Sequence, residues 1–185
     1  DERAYELRRP SGQPLWMYDF GIGFNQTAVP RAESLQDRFC EAFRDAWAGR
    51  VDSDGFNALV VHAGLSSRNV AVIRAYAAYL RQAGTPFSQG YLQQVLRANA
   101  GIVALLVALF RARFDPEFAG DRAHAEADFA AQVATALESV ASLDQDRIVR
   151  SAMALIQATI RTNVFQVEAD GSPRRVMAFK LDPRQ

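Results

Sequence analysis

The segment NAGIVALLVALF, residues 99–110, constrains the fold more than any other part of the sequence. Its apolar side chains would cover a helix on every side, so this helix has to lie inside a core that the rest of the chain provides. The segment is shorter than the roughly 20 apolar residues that a membrane-spanning helix needs. We therefore predict a buried central helix that Asn99 caps and Asp115–Pro116 ends, and no membrane partner.

Apolar residues recur with helical spacing on both sides of this segment. The first helix should start at a capping box formed by Ser34 and Asp37. Its apolar stripe is Leu35, Phe39, Phe43 and Trp47. The later helices are predicted to start at Asp54, Ser66 or Ser67, Ser88, Asp121 and Asp144, to stop at glycines such as Gly64 and Gly84, and to run at the end as far as Thr159.

Strand-like runs stand at both ends of the chain. AYELR and PLWMYDF flank the turn residues Pro10-Ser11-Gly12, and VFQVEA and RRVMAFKL flank Asp170-Gly171, so each pair predicts a β-hairpin. The aromatic residues Trp16, Tyr18 and Phe20 of the first hairpin are expected to pack. The predicted fold is mainly α, a bundle of about seven helices with a short β-hairpin at each end as an α+β appendage.

This pattern predicts three parts: a hairpin and its exit loop over residues 1–30, a helical domain over 31–163 and a hairpin over 164–185. The chain starts without methionine, and we expect it to be a piece of a longer protein. The 21 basic and 21 acidic residues cancel, which argues against a nucleic-acid partner. The single cysteine, Cys40, cannot form an internal disulfide, is expected to be buried and favours a reducing, cytoplasmic location.

Two short motifs invite a catalytic interpretation, and neither is complete. Asp19-Phe20-Gly21 matches the magnesium-binding triplet of protein kinases, but no catalytic-loop motif accompanies it and Lys180 is the only lysine. Gly21 and Gly23 start like a dinucleotide-binding loop, but Gln26 occupies the place of the third glycine. The pattern favours a strand followed by a glycine-rich exit loop.

The remaining reactive residues have no catalytic or metal-binding spacing. Cys40, His62 and His124 lie apart on helical patterns. The acidic residues Asp121, Glu126 and Asp128 look like a solvated helix face. We therefore predict no catalytic, cofactor-binding or metal-binding residue in this chain.

Basic residues become more frequent towards the end of the chain, and the last predicted helix has a polar end. Arginine and lysine there could contact an anion, or they could form an ordinary salt-bridged or domain-docking surface. The candidates for anion contact or for contact with a neighbouring domain are Gln157, Arg161, Asn163, Arg174 and Lys180.

Four strings in a fixed order resemble the large bacterial NAD-dependent glutamate dehydrogenases. They are RFCEAFRDAWAGRVDSDGFNALVVHAGLSSRNVAVIRAYAAYLRQAGTPFSQGYL, ALFRARFDP, SLDQDRIVRSAMALIQATIRTNVFQ and FKLDPRQ. The likeness covers the chain from about Tyr5 to Arg184. Members of this family carry regulatory, ACT-like domains, then a helical region, then a dehydrogenase core that converts L-glutamate and NAD to 2-oxoglutarate, ammonia and NADH.

The resemblance implies that this chain is the helical region just before the catalytic core, with its first hairpin ending a regulatory domain. NAD would bind to the parent enzyme and not to this segment. The partners would be the remaining domains of the same polypeptide, in a homo-oligomer. The function would then be non-catalytic coupling of regulatory domains or subunits to the core; the alternative is a free-standing helical binding or interaction domain with an arginine-rich anion site.

Overall fold

The structure is a computed structural model that describes residues 1–10, 12–21, 32–182 and 184, without the side chains of residues 32–34. It divides into two compact units, Asp1–Ala32 and Glu33–Gln185. Each unit is described separately.

The first unit is an antiparallel hairpin of β1 (Glu2–Arg8) and β2 (Pro14–Phe20), as predicted. Side chains alternate between its two faces, and both faces are apolar. One face carries Trp16, Tyr18 and Phe20, and the other carries Tyr5, Leu7, Leu15 and Met17. All of these residues are 43–54% exposed. Tyr18 and Phe20 stack on each other with ring centroids 6.2 Å apart, and packing of all three aromatic residues stays a prediction.

Part of each of the two incomplete catalytic motifs lies in this hairpin. Asp19 lies opposite Arg3 in the ladder, and Gly21 donates its amide to the Asp1 carbonyl at 2.7 Å, closing the hairpin. Gly23 and Gln26 lie outside the described residues.

The second unit contains seven α-helices in its described residues, which confirms a mainly α fold. They are α1 (Ala32–Trp47), α2 (Leu59–His62), α3 (Ser67–Gln82), α4 (Gln89–Ala98), α5 (Ala100–Phe114), α6 (Arg122–Leu137) and α7 (Leu143–Ala158), with a 3₁₀ turn at Gly55–Ala58 before α2. Two short antiparallel strands follow, β3 (Thr159–Thr162) and β4 (Phe179–Leu181).

Helix α5 lies at the centre, as the apolar segment predicts. Its residues Val103, Leu106, Leu109 and Phe110 are fully buried. They contribute to two hydrophobic clusters, one shared with α2, α3 and α4 and the other with α6, α7 and the end of the chain. Within the described residues no single helix is long and apolar enough to cross a membrane; α4 and α5 together have the length and composition, but they meet at a bend of 93°.

Most of the predicted helix ends are confirmed. Ser66, Ser88 and Asp121 accept hydrogen bonds from backbone amides in the first turns of α3, α4 and α6. Gly64 and Gly84 take positive φ angles of 63° and 87°, as residues that stop helices often do.

Three predicted caps are wrong. Asn99 stands at the start of α5, but its side chain donates to the Val95 carbonyl and to Gln145 Oε1 instead. Ser142, not Asp144, caps α7. Helix α1 begins at Ala32, so Ser34 lies inside its first turn.

The apolar stripe of α1 is only partly buried. Leu35 is buried, whereas exposure increases along the stripe from Phe39 to Trp47, which is 84% exposed. Phe43 and Trp47 stack on each other with ring centroids 5.9 Å apart. Cys40, expected to be buried, is half-buried.

The last hairpin differs from its prediction. Its strands lie farther from the turn: Arg161 is opposite Lys180, and Thr162 is opposite Phe179. The turn at Asp170-Gly171 is present, with Gly171 at a φ of 81°, but the run VFQVEA contributes only a bridge between Val167 and Pro173. Thr159, expected in the last helix, is the first residue of β3.

Candidate functional site: the junction between the helices and the terminal strands

Helix α7 passes directly into β3, and Thr159 stands at the change. The Thr159 hydroxyl donates to the Leu155 carbonyl at 2.7 Å, so it must accept from the Tyr76 hydroxyl, which lies 2.8 Å away. Burial raises the pKa of Tyr76 to about 12. This buried pair ties the end of α7 to the middle of α3.

Arg113, from the end of α5, holds the start of β3. Its Nη2 donates to the carbonyls of Gln157 at 3.0 Å and Thr159 at 3.3 Å, and its Nη1 pairs with Glu126 of α6. The Arg113 side chain is 19% exposed, and burial lowers its pKa. Its Nε is buried without an acceptor among the described residues.

Arg68, from the first turn of α3, holds the chain beyond the other end of β3. Its Nη2 and Nε donate to the Val164 carbonyl at 2.9 and 3.3 Å, and its Nη1 donates to the Arg174 carbonyl at 2.7 Å. Burial lowers the pKa of Arg68. Two arginines from the helices thus bind backbone carbonyls on both sides of one strand.

An aromatic cluster fills the space beneath the strands. Phe110 of α5 lies at its centre, with ring centroids 5.8 Å from Phe165 and 6.3 Å from Phe179. Tyr76 contacts the same Phe179 ring at 5.1 Å. Val164 is buried in this cluster as well, so the strands are joined to the helices by apolar packing in addition to hydrogen bonds.

The five candidates from the sequence take different places around this junction. Arg161 and Lys180 are brought together as an exposed cross-strand pair. Gln157 is half-buried and offers its carbonyl to Arg113. Asn163 completes the ladder: its side chain accepts from the Ala178 amide at 2.7 Å and donates to the Val176 carbonyl at 2.9 Å. Arg174 offers its carbonyl to Arg68, while its exposed guanidinium lies 3.9 Å from Glu168.

The residues that carry the junction, namely Arg68, Tyr76 and Arg113, were not among the sequence candidates. Each stands on an ordinary helical pattern, and its partners lie far away in the sequence. The acidic face predicted on α6 also needs a correction, because Glu126 is engaged by Arg113 and is not simply solvated.

Other reactive side chains are scattered. His62 is exposed, and His124 is an exposed partner of Asp128 at 3.1 Å. Across the part of the chain that the structure describes, no group of three or more histidine, cysteine, aspartate or glutamate residues could hold a metal ion.

Comparison with known proteins places the junction between two family segments. A model described as glutamate dehydrogenase, helical motif 3, matches residues 51–116. A second, described as bacterial NAD-glutamate dehydrogenase, catalytic domain, matches residues 132–185. NAD-specific glutamate dehydrogenases from Mycobacterium tuberculosis, Halomonas elongata and Pseudomonas aeruginosa are 44%, 39% and 34% identical over 98%, 100% and 99% of this chain. The chain belongs to the NAD-specific glutamate dehydrogenase family.

The chain spans only 11–12% of the length of these three glutamate dehydrogenases. The catalytic-domain match begins inside α6, at residue 132, whereas the sequence placed the hairpin that leads into the catalytic core at 164–185. The three predicted domain ranges stay predictions. Within the family frame, Arg68, Tyr76 and Arg113 belong to helical motif 3, and the carbonyls that they hold belong to the catalytic-domain segment.

Proposed function

We propose that this chain is a non-catalytic helical segment of an NAD-dependent glutamate dehydrogenase that couples regulatory domains or subunits to the catalytic core. The parent enzyme would oxidise L-glutamate with NAD and water to 2-oxoglutarate, ammonia and NADH, and NAD would bind outside this segment. The observation that carries the proposal is a single hydrophobic cluster built jointly from both family segments.

This cluster is shared between the two segments. Helical motif 3 supplies Val72, Tyr76, Ile102, Leu106, Leu109 and Phe110, and the catalytic-domain segment supplies Val133, Leu137, Val149, Ala152, Ile156 and Val164. Close-packed protein interiors have low compressibility and transmit displacement from one element to the next. A shift of helix α3 or α5 would therefore carry the first strands of the catalytic domain with it.

Exposed apolar surfaces support partners from the remaining polypeptide. The first hairpin is apolar on both faces, and α1 presents Phe39, Phe43 and Trp47. Isolated two-stranded hairpins are marginally stable in water, and contiguous exposed apolar surfaces mark interaction sites. We propose that other domains of the same chain, within a homo-oligomer, cover these surfaces; the lone free cysteine supports a cytoplasmic location.

The test compares the full-length enzyme with residues 1–185 alone, following NAD reduction with and without L-glutamate. We expect glutamate-dependent NADH formation by the full-length enzyme and none by the segment. Turnover by the segment would contradict its non-catalytic role. A full-length enzyme that is folded but does not reduce NAD with glutamate would contradict the proposed activity.

One observation favours the alternative, a binding domain with an anion site. Arg161 and Lys180 lie side by side on the exposed face of the β3–β4 pair, without an ion-pair partner among the described residues. Like charges directly opposite each other destabilise a sheet unless an anion lies between them. A carboxylate of a small molecule or of a neighbouring domain would remove this repulsion.

Thermal unfolding of the segment tests the anion site. Glutamate, 2-oxoglutarate or NAD should raise the unfolding temperature in a saturable way, and Arg161→Ala or Lys180→Ala should abolish the shift. Arg150→Ala is the matched control, because Arg150 is exposed but bound to Asp146 at 2.9 Å. The absence of any shift with all three ligands would remove the basis for this alternative.

A further inference from the structure

We propose that Arg68 and Arg113 are positioning residues for glutamate oxidation, because together they fix β3, the first strand within the catalytic-domain segment. This inference rests on the proposed function. Neither side chain is proposed to touch substrate or NAD. Each would act through the backbone that it holds.

Arg113 holds the end at which the helix stops. The last carbonyls of a helix lack amide partners within the helix, and Nη2 of Arg113 supplies hydrogen-bond donors to Gln157 and Thr159. A positive charge is also favourable beside the negative end of the helix dipole. The direction in which β3 leaves α7 is therefore set by a side chain of α5.

Arg68 holds the opposite end with three hydrogen bonds to only two carbonyls, those of Val164 and Arg174. No acidic residue pairs with Arg68 within the described part of the chain. Partial burial of a cation without a counter-ion costs free energy, so stability alone is a poor explanation for this arrangement. A planar guanidinium that binds two carbonyls at once fixes their relative position more rigidly than the rotatable donors of a lysine ammonium do.

Helix α3 offers a matched control. Arg74 lies on the same helix as Arg68, and its guanidinium binds Asp54 at 2.8 and 2.9 Å, Asn57 at 2.8 Å and the Asp52 carbonyl at 3.3 Å. All of these partners belong to the helical-motif segment. Arg74→Lys therefore makes the same chemical change as Arg68→Lys without altering any contact to the catalytic-domain segment.

The experiment uses the full-length enzyme with Arg68→Lys, Arg113→Lys and Arg74→Lys. We measure kcat, the KM values for glutamate and NAD, the unfolding temperature, and hydrogen exchange of residues 159–164. For Arg68→Lys and Arg113→Lys we expect kcat to fall by roughly tenfold to a hundredfold, because a small displacement of catalytic groups caused by a distant mutation has an effect of this size, with faster exchange in 159–164. We expect all three variants to unfold at a similarly lowered temperature. Arg74→Lys should nevertheless keep the kcat of the wild-type enzyme.

The outcomes separate this inference from the proposed function. A wild-type enzyme that does not reduce NAD with glutamate overturns the proposed function. An active wild-type enzyme in which Arg68→Lys and Arg113→Lys keep kcat within about twofold, or in which Arg74→Lys loses as much kcat as they do, overturns the positioning role. If one of the two variants does not fold, the kcat of the other decides by the same criterion.

Discussion

At the scale of single residues, the buried hydroxyl of Tyr76 links pH to stability. Burial raises its pKa from 10.0 to about 12, so the folded protein keeps a proton that the unfolded chain loses. The stability that the folded protein gains from the proton on Tyr76 is fully present below pH 10 and is lost as the pH rises through about 12.

Tyr76→Phe removes this titration together with one hydrogen bond to Thr159. At neutral pH we expect a loss of about 1 kcal/mol in the free energy of unfolding. Between pH 10 and 12, the stability of the variant should fall less steeply than that of the wild type. Urea unfolding at several pH values measures both effects, and parallel pH profiles for the two proteins would contradict the prediction.

Phe110 is the residue on which the shared cluster depends most. It is fully buried and contacts aromatic rings from four other positions. We expect Phe110→Ala to cost about 3–5 kcal/mol in the segment. Phe43→Ala is the matched control on an exposed ring and should cost under about 1 kcal/mol; similar losses in urea unfolding would contradict the central place of Phe110.

At the scale of elements, the N-terminus of α6 depends on one side chain. Asp121 Oδ1 accepts from the amides of Ala123 and His124 at 3.0 and 3.2 Å. We expect Asp121→Ala to cost about 1 kcal/mol, the usual value for a lost cap. Asp128→Ala on the same helix removes only an exposed contact with His124 and should change stability by a few tenths of a kcal/mol. Equal losses in thermal unfolding would show that the cap contributes nothing specific.

Helix ends were predictable where the signal is local. Ser66, Ser88 and Asp121 cap helices because a short polar side chain needs to reach amides only two or three residues ahead. The cap of α7 was also present in the sequence: Ser142 with Gln145 has the spacing of a capping box, and the prediction chose Asp144 instead.

The last strands were harder to predict because tertiary contacts override local alternation. Val164 and Phe165 are neighbours in the sequence, yet both side chains pack into the same cluster, so the chain cannot continue as a regular strand. The side-chain amide of Asn163 donates to the Val176 carbonyl and accepts from the Ala178 amide, so it makes bonds that the backbone of a regular strand would make. The β-branched residues Thr159, Ile160 and Thr162 did favour a strand immediately after α7.

At the scale of the whole molecule, the two family segments should fold together. Both hydrophobic clusters contain residues from each segment, with Ile148 of α7 packing among residues of α2 to α5. If the chain is divided between Gly120 and Asp121, the pieces 33–120 and 121–185 should each be poorly ordered alone. When mixed, they should regain the helical circular dichroism and the single unfolding transition of residues 33–185. A piece that folds independently and does not bind the other would contradict a shared core.

The family could be predicted from the order of four strings, whereas the junction could not. Arg68 reaches carbonyls 96 and 106 residues further along the chain, and no local pattern carries such a contact. The sequence does reveal the apolar stripe of α1 and the two apolar faces of the first hairpin as surfaces for packing against a partner. The partner's residues lie elsewhere and leave no local signal.

The arginine contacts have a consequence for evolution and for protein engineering. Arg68 and Arg113 recognise main-chain oxygens, which every amino acid provides. The exposed or half-buried side chains at positions 157 and 174 can therefore diverge without removing the acceptors, while the tolerance at positions 68 and 113 should be close to nil. A saturation library of this region should show that asymmetry as two intolerant sites among permissive neighbours.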